Sequence, residues 1–206
     1  MENIGSFIHI KKEDLYFKGC STCAGDCCNG AKGFAVSPLI LEDFEAVFEN
    51  FPILFSRRDE KLMVYVLLND GEHYCKYYVN HQCSIYEQRA PACKLYPISP
   101  YFEHLFVDTA CTSVNRSVGK PLCRDGKLHN DFYTKRLDNF VSKLNATNTF
   151  LESINNLTHF DYVGDILGLP LFQYNQSSSN RYIQMHLESL KHFEKKRTWT
   201  LRKSVS

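Results

Sequence analysis

The sequence lacks any long apolar run, and its positive and negative charges nearly cancel. The 206 residues carry 24 Lys and Arg against 23 Asp and Glu, a formal net charge of +1. No stretch approaches the ~18 apolar residues of a membrane-spanning helix, and no basic start followed by an apolar segment, as in a signal peptide, opens the sequence. We therefore expect a cytoplasmic protein without a membrane span, and a chain whose overall charge does not attract nucleic acid.

The motifs of several common enzyme classes are also missing from the sequence. It contains no G-x-G-x-x-G, no P-loop, no H-E-x-x-H and no Ser-His-Asp set. Its carboxylates are scattered, and none forms a recognisable acid–base pair. The sequence therefore identifies no catalytic residues.

Cysteine is absent from the last 83 residues but abundant before them, since all nine cysteines lie between Cys20 and Cys123. Disulfides rarely persist in a reducing cytosol, and an odd number of cysteines cannot pair completely within one chain. Clustered cysteines in such a protein indicate metal ligands first, then redox thiols, then buried apolar residues.

Four cysteines within nine residues form the densest cluster. Cys20 and Cys23 have the C-x2-C spacing that lets two thiolates bind one ion. Cys27 and Cys28 are adjacent, and neighbouring side chains of extended backbone point in opposite directions. We therefore predict that this pair serves two centres, or that one cysteine binds while the other packs. The predicted metal ligands are Cys20, Cys23, Cys27, Cys28, Cys75, Cys83, Cys93 and Cys111.

A set of thiolates restricts the choice of metal. Thiolates are soft ligands, and they select zinc, iron–sulfur clusters or copper(I) over magnesium and calcium. The C-x2-C spacing occurs both in structural zinc sites and in iron–sulfur loops. Eight cysteines would fit two four-sulfur sites, or one cluster and one zinc ion. The spacing leaves open the choice between Zn²⁺ and iron, including a [4Fe–4S] cluster.

The pattern of apolar residues and breakers predicts an α+β fold, with a small antiparallel sheet, irregular cysteine-rich loops and C-terminal helices. Residues 61–68 predict a strand. The turn Asn69-Asp70-Gly71 predicts a hairpin between this strand and residues 73–79. Residues 101–110 predict a third strand, which leads to the last of the predicted ligands.

Helical spacing of apolar residues appears in three places. The first predicted helix follows an N-cap at Ser37 and ends at Pro52. A long amphipathic helix covers 129–157, with a break near 145–148, and a final helix covers 180–199. The predicted domains are 1–125, a cysteine-cluster metal-binding domain, and 126–206, a helical segment packed on it or extending from it.

Two motifs together resemble a known family. The segments CSTCAGDCC at 20–28 and HQCSIYEQRAPACKLYP at 81–97 are similar to those of the YkgJ-type CxxCxxCC family of zinc- or iron-chelating domains. The resemblance covers 17–115 and implies metal binding by the cysteines. Flagellin lysine N-methylase is more distantly similar, which implies a link to protein modification. The matching positions of the second motif are Cys83, Ile85, Tyr86, Arg89, Pro91, Cys93, Tyr96 and Pro97.

Some residues near the cysteines are predicted to surround the metal rather than bind it. A guanidinium at Arg89 can offset the negative charge of thiolates and donate N–H···S hydrogen bonds. His81 precedes Cys83 by two residues and is either a neighbour of the site or an imidazole ligand. Tyr86 belongs to a group of tyrosines that we expect to pack around it. Cys123 lies outside the motifs and is predicted to be a free or packed thiol.

The basic segment 191–203 stands apart from these motifs. It carries six Lys and Arg against one Glu, with Phe193 and Trp199 between them. An acidic partner, RNA or a membrane surface would suit this composition. A solvated end of an amphipathic helix is the simpler prediction.

Three functions fit the cysteine pattern. In the first, which we predict, thiolates chelate zinc or iron and organise the loops 20–33 and 75–97. In the second, a [4Fe–4S] cluster with an exchangeable position supports an enzyme that modifies a protein substrate. In the third, the thiols cycle in redox or metal-handling reactions. A metal ion is the expected partner in each holoprotein, and a protein partner or substrate belongs to the second.

Overall fold

The computed structural model describes residues 6–20, 23, 25–32, 35–58, 60–101, 104–133, 135–138, 140–166 and 168–194. Within these residues the predicted α+β fold is confirmed, and every strand pairing is antiparallel. The strands are β1 (Phe7–His9), β2 (Leu15–Phe17), β3 (Val36–Pro38), β4 (Ile53–Arg58), β5 (Lys61–Leu67), β6 (Tyr78–Val79), β7 (Gln82–Cys83), β8 (Ile98–Tyr101), β9 (His104–Asp108), β10 (Val114–Asn115), β11 (Lys120–Arg124), β12 (Lys127–Leu128), β13 (Phe160–Ile166) and β14 (Leu169–Tyr174). The helices are α1 (Phe44–Val47), α2 (Pro91–Leu95), α3 (Lys135–Asp138), α4 (Phe140–Ser153) and α5 (Arg181–Glu194).

The largest sheet has five strands in the order β13–β14–β4–β5–β3. Its central pair, β4 and β5, is in register from Ile53 opposite Val66 to Arg58 opposite Lys61. Apolar side chains of β4 and of α1, α4 and α5 meet in the first hydrophobic core, where Phe55 is fully buried. Burial of such side chains is the main term that stabilises the sheet and its helices.

The strand predicted at 61–68 is confirmed as β5, but its predicted partner is wrong. β5 pairs with β4 and β3, and residues 73–79 enter a different part of the fold. The Asn69-Asp70-Gly71 turn is stabilised by local hydrogen bonds. The Asn69 side chain accepts a hydrogen bond from the amide of Gly71, and the Asp70 carboxylate accepts hydrogen bonds from the amides of Glu72 and His73. These bonds lead the chain away from the sheet.

The first predicted helix begins later than its N-cap at Ser37 suggested. Ser37 lies in β3, opposite Val66 of β5. Helical structure starts with a 3-10 turn at Leu41–Asp43, which continues into α1. The pairing with β5 thus overrides the local capping signal.

The C-terminal part of the chain completes the large sheet. Helix α4 runs through 145–148 without the predicted break. Strands β13 and β14 form a hairpin that the sequence did not predict, and Phe172 of β14 pairs with Phe55 of β4. The predicted final helix is confirmed as α5 up to Glu194, and most of the basic segment 191–203 lies outside the described residues. No helix within the described ranges is long and apolar enough to cross a membrane.

Two smaller sheets enclose a second hydrophobic core. One has the order β1–β9–β8 and the other β10–β2–β11–β12. The strand predicted at 101–110 corresponds to β9, which spans only His104–Asp108. Leu15, Val107 and Leu122 are among the fully buried residues of this core. The cysteine loops connect the second core with the first.

Candidate metal centre

The first cysteine segment is a tight, irregular turn. The amide of Cys23 donates to the carbonyl of Cys20 over 3.2 Å, and the amide of Cys28 donates to that of Gly25 over 2.8 Å. Asp26–Cys28 form one turn of 3-10 helix. The Sγ atoms of Cys27 and Cys28 consequently lie 4.0 Å apart. The prediction that these side chains point in opposite directions is wrong, because it assumed extended backbone.

Gly25 allows an aromatic side chain to lie directly on this turn. Its φ of +76° is a conformation that residues with a Cβ rarely adopt, and a Cβ there would stand 2.4 Å from the Tyr78 ring. The rings of Tyr78 and Tyr74 stack at 4.8 Å. The loop that carries Cys75 is thereby packed against the loop that carries Cys27 and Cys28.

Backbone hydrogen bonds join the same two loops. The amide of Cys75 donates to the carbonyl of Cys28 over 2.7 Å, and the amide of Gly30 donates to that of His73 over 3.0 Å. Cys75 is 9% exposed and belongs to the first core, against which Cys28 and Cys93 also pack. Two cysteines that are 47 positions apart in the sequence are thus held side by side.

Two further cysteines arrive on short secondary elements. Cys83 ends β7, opposite Tyr78 of β6. Cys93 lies in α2, which begins with Pro91 at its first position. Burial raises the pKa of Cys93, and the thiols of Cys27, Cys75 and Cys83 raise it further. Cys93 therefore interacts electrostatically with these three cysteines.

The remaining predicted ligand, Cys111, follows β9 and is 3% exposed. Burial raises its pKa to about 11, with the neighbouring thiols of Cys23 and Cys20 as additional causes. A buried carboxylate ties its segment to the first cysteine turn: Asp26 Oδ2 accepts hydrogen bonds from the Thr112 amide at 3.2 Å and the Thr112 hydroxyl at 2.5 Å. The same oxygen lies 3.9 Å from Cys23 Sγ. Nothing in the sequence distinguishes Asp26 from a surface aspartate, and we did not predict it.

Arg89 supplies positive charge to the thiols. It lowers the pKa of Cys20, Cys27 and Cys93, although burial and the other thiols outweigh it at each of them. Its guanidinium carbon lies 3.6 Å from the centre of the exposed Tyr86 ring, a cation–π contact. The buried Nε atom of Arg89 has no hydrogen-bond partner in the described part of the chain. This N–H remains available to a sulfur atom.

The thiols are not joined by disulfide bonds. None of the nine cysteines, all of which are described, is in a disulfide. The hydrogen bond with Cys28, followed by burial, raises the pKa of Cys27, and burial followed by the Cys27 and Cys23 thiols raises that of Cys20. These thiols hold their protons at neutral pH, and binding of a metal must displace the protons.

The two remaining residues that the sequence singled out, Cys123 and His81, differ in burial. Cys123 is fully buried in the second core, where its pKa is raised by burial and by carboxylates, and its thiol lies 3.6 Å from the carbonyl oxygen of Glu13. His81 is exposed, with its ring edge-on to that of Tyr78 at 6.3 Å. The free or packed thiol predicted at Cys123 agrees with this position.

The fit of a metal to these residues is good in chemistry and incomplete in geometry. The 4.0 Å between the sulfurs of Cys27 and Cys28 is near the ~3.8 Å expected for two thiolates of one tetrahedral zinc with Zn–S bonds of about 2.3 Å. Among the described residues, however, no group of three or more His, Cys, Asp or Glu side chains is arranged to hold a metal ion. Side chains would have to turn toward a bound ion.

Comparisons with models of protein families, with curated proteins and with solved structures find no match to this chain. The resemblance to the YkgJ-type family therefore depends on the motif residues alone.

Proposed function

We propose that this is a metal-binding protein of a reducing compartment such as the cytoplasm, in which clustered cysteine thiolates chelate zinc or iron, the iron as an ion or as a [4Fe–4S] cluster. The proposal depends on one observation above all. Each of eight cysteines, which come from separate parts of the chain, has at least one other of the eight as a neighbour, whereas the ninth, Cys123, is buried in the second core near the carboxylates of Asp14 and Glu13.

The electrostatics of the region support a bound cation. Thiolates brought together in a partly buried site repel one another, and burial of unpaired charge is costly. Arg89 offers one positive charge to Cys20, Cys27 and Cys93. A soft metal cation supplies the remaining positive charge and favours sulfur over oxygen ligands.

Metal analysis of the purified chain tests the proposal. The full chain is purified without oxygen, and its zinc, iron and acid-labile sulfide are measured together with the visible absorption spectrum. We expect bound zinc in a colourless protein, or iron with sulfide in a brown one. The outcome chooses between the two metals, since thiolate sites of either kind fit the spacing.

A pair of variants provides the control. Cys93→Ala removes a thiol of the cluster, whereas Cys123→Ala removes the thiol that lies in the second core. We expect Cys93→Ala to reduce the metal content and Cys123→Ala to leave it unchanged. A protein that contains no metal, takes up none, and forms disulfides on mild oxidation would refute metal binding and would indicate a redox thiol protein.

A further inference from the structure

The cysteines divide into two groups by the contacts of the segments that carry them. In the first set, the amide of Cys23 donates to the carbonyl of Cys20, and Asp26 Oδ2, 3.9 Å from the sulfur of Cys23, accepts the amide of Thr112, the residue after Cys111. In the second set, the amide of Cys75 donates to the carbonyl of Cys28, and Cys28, Cys75 and Cys93 belong to or pack against the first core. Other thiols of each set also raise the pKa of one member, Cys111 in the first and Cys93 in the second. We name the first set the Cys111 group and the second the Cys93 group. The Cys111 group is Cys20, Cys23 and Cys111, and the Cys93 group is Cys27, Cys28, Cys75, Cys83 and Cys93.

The packing of the chain follows the same division. Cys111 is part of the second hydrophobic core, and Cys28, Cys75 and Cys93 belong to or pack against the first. Cys27 is nearest the boundary, since it also raises the pKa of Cys20. We place it in the Cys93 group because its sulfur is 4.0 Å from that of Cys28. Each group is thus anchored to its own core.

Asp26 adds an oxygen ligand to the Cys111 group. This carboxylate is 4% exposed, and its Oδ2 atom lies 3.9 Å from the sulfur of Cys23. This Oδ2 atom accepts both hydrogen bonds from Thr112. Carboxylates that bind metals are themselves held by hydrogen bonds of this kind.

Asp26 also has no ion pair within the part of the chain that the structure describes. No lysine, arginine or histidine among the described residues forms an ion pair with it. A buried carboxylate 3.9 Å from the sulfur of a thiol that must lose its proton to bind a metal is unfavourable without a cation. A divalent cation would neutralise the carboxylate and the thiolates together. Zinc accepts this mixture of sulfur and oxygen ligands.

We infer that the Cys111 group and Asp26 bind one divalent cation, with zinc as the best match, at a centre separate from that of the Cys93 group. This inference depends on the proposed function, and it states how the eight thiols are divided. Each thiol gives up its proton when it binds. Cys20 and Cys23 lie in irregular backbone, where side chains can turn toward the ion more easily than in a strand or helix.

Stoichiometry of zinc in the full-length chain tests the division. Cys111→Ser and Cys93→Ser should each lose about half of the zinc bound by the wild type, and the double variant should lose nearly all of it. A wild type that binds no zinc or iron would remove the proposed function itself. A wild type that binds metal, with either single variant losing all of it, would leave that function intact and overturn the division.

The role of Asp26 is tested with a matched carboxylate. Asp26→Asn should weaken zinc binding at one centre by at least about 10-fold. Asp43→Asn is the control, since Asp43 is also a buried carboxylate, 5% exposed, but it accepts the amide of Ile40 in the 3-10 turn before α1. Equal zinc affinities at both centres in the Asp26→Asn and wild-type proteins would overturn the assignment of Asp26.

A variant that adds a signal covers the case in which Asp26→Asn does not fold. In the protein loaded with Co²⁺, Asp26→Cys should replace an oxygen ligand by a sulfur ligand and increase the sulfur-to-cobalt charge-transfer absorption. Asp43→Cys should leave that absorption unchanged. No increase in a folded, Co²⁺-loaded Asp26→Cys protein would show that residue 26 is not a ligand.

Discussion

The five-stranded sheet and the cysteine loops beside it are stabilised in different ways. In the sheet, buried apolar side chains such as Ile53 and Ile183 fill the space between strands and helices. In the cysteine loops, short turns and a few hydrogen bonds hold thiols that range from exposed, at Cys20, to buried, at Cys75 and Cys111. The comparison indicates that the sheet is specified by its own apolar residues. Under the proposed function, the loops would gain part of their stability from a bound metal.

Removal of the metal should produce the largest difference in stability between the cysteine loops and the five-stranded sheet. Since a structural metal site contributes its binding energy to folding, often about 10 kcal/mol or more in small zinc domains, the loops should open when a strong chelator takes the metal away. Hydrogen exchange should accelerate in peptides covering 20–28 and 75–93. Peptides covering 53–67 and 181–194 should remain protected. Uniform acceleration in all four peptides would contradict the comparison.

Acid should act on the sheet through a buried histidine. His186 is fully buried between α5 and the sheet; its Nδ1–H donates to the carbonyl of Ile53 and its Nε2 accepts the amide of Tyr174. Burial lowers the pKa of His186 from 6.5 to about 4. The imidazole of His186 therefore takes up a proton more readily in the unfolded chain than in the folded one. The stability contributed by neutral His186 is complete above pH 6.5 and is lost as the pH falls toward 4.

The expected loss of stability is about 3 kcal/mol across this interval. Chemical denaturation at a series of pH values measures it, with the metal-free chain used throughout so that proton competition at the thiols does not interfere. His186→Gln removes the titrating group, and its stability should show a smaller slope between pH 6.5 and 4. The same slope in both proteins would exclude His186 as the cause.

Substitution of two glycines, one in each region, compares how tightly the two regions are packed. Gly25 in the cysteine turn and Gly168 between β13 and β14 have nearly equal φ values, +76° and +78°. A Cβ at Gly25 would collide with the Tyr78 ring, while one at Gly168 meets no described atom within 4 Å. Gly168→Ala should destabilise the protein by about 1 kcal/mol through its backbone, and Gly25→Ala by about 2–3 kcal/mol through backbone and overpacking.

Thermal unfolding of both variants measures this difference. The variants should also be made with Tyr78→Ala, because removal of the ring should eliminate the extra loss at Gly25 and leave that at Gly168 unchanged. An extra loss that persists without the ring would show that Tyr78 does not pack on the turn.

The smallest effect is expected at Cys123. Cys123→Ala should lower the stability by about 1 kcal/mol through lost packing in the second core, and should leave the metal content and the exchange of the cysteine loops unchanged. Serine is a poorer replacement, since its hydroxyl would be buried in an apolar site. Loss of metal from a folded Cys123→Ala protein would place this thiol among the ligands.

The sequence predicted the type of fold and the elements with the strongest local patterns, β5 and α5. It failed where partners are distant in the chain. The hairpin β13–β14 has no clear period, and its place beside β4 depends on contacts such as Phe172 with Phe55. Ser37 has the properties of an N-cap, but its backbone is taken by pairing with β5.

For the site, the cysteine motifs include thiols that raise the pKa of one another in the fold, and Arg89 lowers the pKa of Cys93, as a nearby positive charge should. Their roles as metal ligands and as a compensating charge stay predictions. Asp26 was not predicted, since its burial depends on Thr112 from far along the chain. The geometry of Cys27 and Cys28 was predicted wrongly, because the 3-10 turn is set by Gly25 and not by the pair itself.

The hydrogen bond between Asp26 and Thr112 has a consequence for the synthesis of the protein on the ribosome. Its two ends are separated by 86 positions. At a synthesis rate of 5–20 residues per second, roughly 4–17 seconds pass between the appearance of the first end and that of the second. During this interval the earliest cysteines are exposed in a nascent chain, with neither Thr112 nor Cys111 to complete their surroundings. The yield of correctly assembled protein therefore depends on how strongly reducing the compartment of translation is.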